Sequence, residues 1–166
     1  MFTKFGVLIV VAATTGPIDG RAETRTQPGS VVFVCEHGSA KSLIAREWFD
    51  RLARERGLSV RAVSLGVVPD ATVPQPITEA LRKDGFDVQA FVPNRADAAA
   101  LQGASLIVAI GLERPGALPV QPDDALEIWN GVPPTAPRYE ATRDALKERI
   151  EALLDRLQAN PDAFKR

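Results

Sequence analysis

Four consecutive apolar residues, Val31-Val32-Phe33-Val34, end at Cys35 and run directly into the small and polar stretch Glu36-His37-Gly38-Ser39-Ala40-Lys41-Ser42. An uninterrupted apolar run of this length predicts a strand buried on both faces, the situation of a central parallel strand. A parallel strand needs a crossover, and the pattern after the loop supplies one. Ile44, Trp48 and Leu52 recur every four residues, and Gly57 is a suitable helix stop. This strand–loop–helix unit constrains the chain to an α/β fold.

The alternation then repeats. Residues 60–65 predict a second strand, and residues 76–84 a helix with Pro76 in its first turn and Gly85 at its end. Leu106–Ile110 reads as a third buried strand and Leu126–Trp129 as a shorter fourth. A Pro-rich loop over 131–137 precedes a long last helix with Leu146, Ile150, Leu153 and Leu157 on one face, closed by Asn160-Pro161. The expectation is one α/β domain over 31–160 with a four-stranded, mostly parallel sheet, and a C-terminal tail over 161–166. Crossovers are expected to be right-handed, with ligands beyond the carboxyl ends of the strands.

The start of the chain is of another kind. Lys4 and the amino terminus precede an apolar or small run over 5–13. Gly16 and Pro17 follow, and Gly20-Arg21-Ala22 puts small residues at the two positions that signal peptidase reads. That layout predicts a cleavable secretory signal over 1–22 and a linker over 23–30. The run is shorter than the roughly 20 residues of a spanning helix. The protein is therefore expected to be exported, periplasmic or secreted, with no membrane span after cleavage. The alternative is that the run belongs to the fold itself.

Composition narrows the chemistry. With 166 residues, 20 Lys+Arg against 21 Asp+Glu and 45% hydrophobic content, the chain can bury a core and carries a net charge of only −1. No basic stripe is present, so nucleic acid is not an expected partner. A single Cys excludes an internal disulfide and Cys-rich zinc sites, and a single His excludes multi-histidine metal sites. No metal and no cofactor are expected.

Cys35 falls at the carboxyl end of the first strand, where such folds place their sites. The following loop can aim several backbone N–H groups inward at a helix N-terminus, a nest for a tetrahedral oxyanion. The helix dipole and Lys41 would favour the thiolate of Cys35. A nucleophile at the centre of an anion nest is what displacement of a phosphoryl group through a phosphocysteine requires. The competing reading is that Cys35 is a small core hydrophobe. Glu36 and His37 read either as an exposed polar turn or as ligand-facing groups, and Ser42 as a first-turn residue or N-cap. Arg51, Arg54 and Arg56 read as a solvated cationic helix end, and Tyr139 as packing of the last helix.

The segment VVFVCEHGSAKS resembles the V-x-F-V-C-x-x-N-x-x-R-S pattern of the low-molecular-weight protein tyrosine phosphatases and of the arsenate reductases that share their fold. Leu65-Gly66 through Pro69 and Pro74, Ile110-Gly111, Trp129, the Pro-rich loop and Tyr139 with Arg143-Asp144 are similar in order and spacing. The resemblance implies a flavodoxin-like three-layer α/β/α fold with Cys35 as nucleophile. It also implies phosphoryl binding by the backbone of 36–41 with Lys41, and a thiolate steadied by Ser42. Three positions depart from the pattern. Lys41 stands where the family has Arg, offering a point charge in place of a planar fork. Gly38 stands where the family has a bracing Asn. The stretch Trp129-Asn130-Gly131-Val132-Pro133-Pro134 lacks the general-acid Asp of the family's D-P loop. His37 or Glu36 then becomes the candidate for proton transfer, imidazole being the side chain that titrates near neutrality.

The resulting expectation is a phosphate-monoester hydrolase, weak or divergent, acting on aryl phosphates or phosphotyrosine-type substrates through a Cys35 phosphocysteine. Cys35, Lys41 and His37 are the candidate catalytic residues, and Glu36, Gly38, Ser39, Ala40 and Ser42 the candidate substrate-binding ones. The expected partners are phosphate or a similar oxyanion and a phosphorylated small molecule or phosphoprotein. Two alternatives stay open. One is an arsenate reductase using an external thiol, since a lone cysteine cannot run a relay within the chain. The other is a non-catalytic oxyanion- or phosphoprotein-binding module.

Overall fold

The structure is a computed structural model that describes residues 29–164. The expected signal segment and residues 23–28 of the linker lie outside the described residues. In chain order the elements are β1 (Ser30–Cys35), α1 (Lys41–Glu55), β2 (Arg61–Gly66), α2 (Gln75–Lys83), β3 (Asn94–Arg95), α3 (Ala98–Leu101), β4 (Leu106–Ile110), β5 (Leu126–Trp129) and α4 (Tyr139–Ala159). Single 3-10 turns occur at Pro115–Ala117 and Pro161–Phe164.

The sheet has five strands in the order β3-β2-β1-β4-β5, all parallel. The expected count of four is corrected by β3, two residues paired with Leu65 and Gly66. Its Asn and Arg side chains are exposed, so it carries no apolar period that a sequence could reveal. α3 escaped notice for a similar reason: four residues of Ala-Ala-Ala-Leu are too short for a periodic face.

β1 is central because every one of its side chains is buried. Alternation divides them between two cores. Val31 and Phe33 join Val108 and Ile110 beneath α1 and α4, while Val32 and Val34 join Ile107, Ala109, Leu65 and Leu101 on the opposite face. Phe33 sits between Phe49 and Trp129, 5.6 Å from each ring centre. The α4 stripe Leu146, Ile150, Leu153 and Leu157 is buried as its spacing requires. On α1 Ile44 is buried as expected, but further along the buried face falls one residue later than expected. Phe49 and Ala53 are fully covered, and Trp48 and Leu52 only flank the core, because α1 is wedged between the sheet and α4.

Two side chains away from the expected site hold elements together. Arg51 donates to the Asp84 and Gly85 carbonyls that follow α2, and its guanidinium lies 3.6 Å from the Phe86 ring centre. The solvated role expected for it is thereby replaced by a helix-end clamp. Tyr139 is packed, as its position suggested. Its hydroxyl donates to Asp84 Oδ2 at 2.7 Å, and Arg143 holds Oδ1 of the same carboxylate at 3.2 Å. Burial, and then the Asp84 carboxylate, push the Tyr139 hydroxyl far above its ordinary value, so it remains a donor.

The chain runs outward from β1 through β2 to β3, then returns to β4 and β5 on the other side of β1. The carboxyl ends of β1 and β4 therefore flank the point where strand order reverses, the position that opens a crevice in such sheets.

Truncating Phe33 to Ala should lower stability by about 3–5 kcal/mol. Ile128→Ala, at a side chain 47% exposed on the edge strand, should cost less than about 1 kcal/mol. Urea unfolding of the two variants checks the contrast, and equal costs would contradict a core built around β1.

Candidate active site

Cys35, a residue only 5% exposed, ends β1 and lines a cavity of about 310 Å³. The walls are Glu36, His37, Ala40 and Lys41 from the loop, Ile110 and Gly111 from the end of β4, and Pro134, Thr135 and Ala136 from the segment before α4.

The loop has a fixed shape because its backbone rests on β2. Gly38 adopts φ +67°, and a Cβ there would stand 2.8 Å from the Gly66 nitrogen. A Cβ on Gly66 would stand 2.7 Å from the Gly38 nitrogen. Both positions thus need glycine, one for its left-handed backbone and both for the approach. Hydrogen bonds Val67 N–H to Cys35 O, Val68 N–H to Glu36 O and Asp70 N–H to His37 O lace the loop to the segment after β2.

Within that frame the sulfur is surrounded by donors. Gly38 N–H reaches Cys35 Sγ at 3.3 Å and Ser42 Oγ lies 3.1 Å from it. Ser64, buried on β2, is 2.9 Å from Ser42 Oγ and 3.1 Å from Gly38 O. When Ser64 donates to Ser42, the Ser42 proton is left for the sulfur, so a thiolate would be served by two donors. Among the described residues no backbone acceptor takes the N–H of Glu36, His37, Ser39, Ala40 or Lys41. α1 begins at Lys41 without a side-chain cap on Ala40. A helix start with uncommitted amides beside a thiol is a site for an anion.

Lys41 supplies the charge. Its Nζ lies 2.9 Å from the point a Cβ on Gly111 would occupy, and Gly111 has φ +57°. The ammonium therefore uses space that exists because residue 111 has no side chain. Among the described residues Lys41 has no carboxylate partner.

Of the expected site residues, Cys35, Glu36, His37, Ala40 and Lys41 line the cavity together. Gly38, Ser39 and Ser42 are buried behind its wall. Ser39 turns its hydroxyl to Asp70 Oδ2, and Ser42 is both the second residue of α1 and a partner of the thiol. The sequence reading missed Ser64, Asp70 and Thr135 as site residues, and placed Gly66 and Gly111 only within the family-like pattern. Ser64 was traceable as a hydroxyl at an inward position of an apolar strand. Asp70 and Thr135 enter only through tertiary approach. Among the described residues no cluster of three or more His, Cys, Asp or Glu side chains could hold a metal ion.

Comparison with known proteins agrees with this geometry. Residues 30–163 match the family described as low molecular weight phosphotyrosine protein phosphatase. Among solved structures, YfkJ from Bacillus subtilis is similar with a TM-score of 0.70 at 22% identity, over 82% of this chain and 98% of that one. An arsenate reductase from Archaeoglobus fulgidus gives 0.62 at 26% identity, over 75% and 98%. A thioredoxin-dependent arsenate reductase from Corynebacterium glutamicum gives 0.66 at 19%, and the chain spans only 62% of its length. Among curated proteins no sequence match is found. The family match spans both cores and the whole loop after Cys35, and the chain belongs to the low molecular weight phosphotyrosine protein phosphatase family.

Proposed function

We propose that the protein hydrolyses phosphate monoesters, aryl phosphates foremost, through a phosphocysteine on Cys35. The observation that carries this reading is the sulfur of cavity-lining Cys35, facing donors from Gly38 and Ser42 inside a loop of uncommitted amides. The thiolate attacks phosphorus, the ester oxygen leaves, and water then cleaves the P–S bond. The amides of 36–41 and Lys41 hold the three equatorial oxygens, whose charge the transition state spreads. Lys41 contributes one rotatable point charge, which stabilises that charge without gripping two oxygens at once. Phenolic leaving groups suit such a site because they depart with little assistance.

A second reading uses the same cavity. Arsenate is a tetrahedral oxyanion like phosphate, and a structure similar over nearly its whole length is that of an arsenate reductase. With one cysteine in the chain, reduction would draw its electrons from an external thiol. Export, the reading of residues 1–22, would place the reaction outside the cytoplasm, where such a reductant is scarce. Among the described residues no helix is long and apolar enough to cross a membrane.

Hydrolysis of para-nitrophenyl phosphate should fall to background in Cys35→Ser, and phosphate should slow iodoacetamide labelling of Cys35. Phosphate binding without Cys35-dependent turnover would favour a binding module, and arsenate-dependent thiol oxidation would favour the reductase.

Removing the Lys41 ammonium with Lys41→Ala should lower kcat/KM by about 10²–10³-fold, the usual effect of losing one oxyanion donor. Gly111→Ala should act in the same direction but more weakly, because Nζ ends a flexible side chain that can give way to the new Cβ. Steady-state kinetics decide, and an unchanged Lys41→Ala would show that the ammonium does not serve the reaction.

A further inference from the structure

The cavity over Cys35 holds four ionisable side chains, Cys35, Glu36, His37 and Lys41, and its far wall of Pro134, Thr135 and Ala136 contributes none. The oxygen of a departing alcohol or phenol must take its proton from the loop or from water. We infer that His37 is the general acid of this site and that Asp70 is its positioning residue, an inference that rests on the hydrolase reading above.

The geometry around the imidazole is one-sided. His37 Nδ1 lies 3.3 Å from Val68 O and 3.7 Å from Asp70 Oδ1. Both are acceptors, so Nδ1 carries a hydrogen and Nε2 is the nitrogen left to exchange a proton. Asp70 is itself held in place. Its N–H donates to His37 O at 3.1 Å, and its Oδ2 accepts from Ser39 Oγ. The carboxylate thus connects a buried loop hydroxyl to an imidazole whose side chain is 58% exposed, fixing a ring that would otherwise turn freely.

The competing groups are less suited. Among the described residues the Glu36 side chain has no partner that orients it, and Lys41 is the cation that the hydrolase reading puts on the phosphoryl oxygens. The charged groups facing His37 are Asp70 from the segment after β2, Glu36 beside it and Lys41 from α1. Glu113 and Arg114, after β4, line the adjoining cavity that Glu36 also borders.

The step balances. As Sγ forms a bond to phosphorus, the P–O bond to the leaving group breaks and its electron pair takes the proton from Nε2 of the imidazolium. In the second half, neutral Nε2 accepts a proton from water as the water oxygen bonds to phosphorus. The P–S bond then breaks, returning thiolate, imidazolium and inorganic phosphate.

The test is hydrolysis of phenyl phosphate and para-nitrophenyl phosphate by the full chain. His37→Gln should lower kcat on phenyl phosphate, the poorer leaving group, by about 10²–10⁴-fold, and on para-nitrophenyl phosphate by less than about tenfold. Asp70→Asn keeps the shape and removes the carboxylate that faces Nδ1. It should lower kcat on phenyl phosphate more than on para-nitrophenyl phosphate and change kcat more than KM. If Asp70 only braced the loop, KM would rise and both leaving groups would be affected alike. A His37→Gln variant with unaltered leaving-group dependence, or an Asp70→Asn variant that affects both substrates alike, overturns the inference while Cys35-dependent hydrolysis stands. Absence of Cys35-dependent hydrolysis in the unaltered protein overturns the hydrolase reading, and this inference with it.

Discussion

The loop after β1 keeps its shape because backbone lies against backbone. Gly38 and Gly66 approach so closely that neither could carry a side chain. That contact sets where every amide of residues 36–41 sits relative to the Cys35 sulfur. It also brings Ser64 within reach of Ser42 and of the Gly38 carbonyl, tying the thiol environment to the middle of the sheet. The parallel register of β1 and β2, with Cys35 opposite Gly66, is what makes the approach possible. Interiors packed this densely transmit small displacements, so the electrostatics of the site depend on a steric condition two strands share.

A second steric condition governs the charge. A lysine replaces the family's arginine, and the residue beside its ammonium is a glycine in the left-handed region. The two features fit each other. A compact ammonium needs one free volume at a defined depth, whereas a guanidinium needs a plane and a partner to orient it. Under the proposed function, such a site offers an oxyanion a point charge and amide dipoles, with less geometric selection than a bidentate grip.

Much of this was legible beforehand. The apolar run at Val31–34 required a central parallel strand, and Cys35 stands at its end. The α4 stripe followed from spacing alone, whereas the bond from the Tyr139 hydroxyl to Asp84, 55 positions away, did not. The reading failed where signal is carried by very few residues or by none. β3 has two residues and α3 four, and neither is long enough for a hydrophobic period to emerge. Arg51 looked like a solvated cation because its acceptors, the carbonyls of Asp84 and Gly85, are backbone groups more than thirty positions away. Asp70 followed Pro69 in an ordinary polar loop, and nothing local distinguished it.

The sequence by itself determined the α/β class, the place of Cys35 at a strand end, the identity of the loop and the absence of an acidic residue from the Pro-rich segment that leads into α4. Each of these is a property of neighbours along the chain, where periodicity and turn chemistry act. Only the tertiary structure decided which groups face the sulfur, that Lys41 lies over Gly111, and that Asp70 stands beside His37. Those contacts join residues up to about 70 positions apart. They arise from strand order and register, which emerge when the two faces of the sheet are covered together.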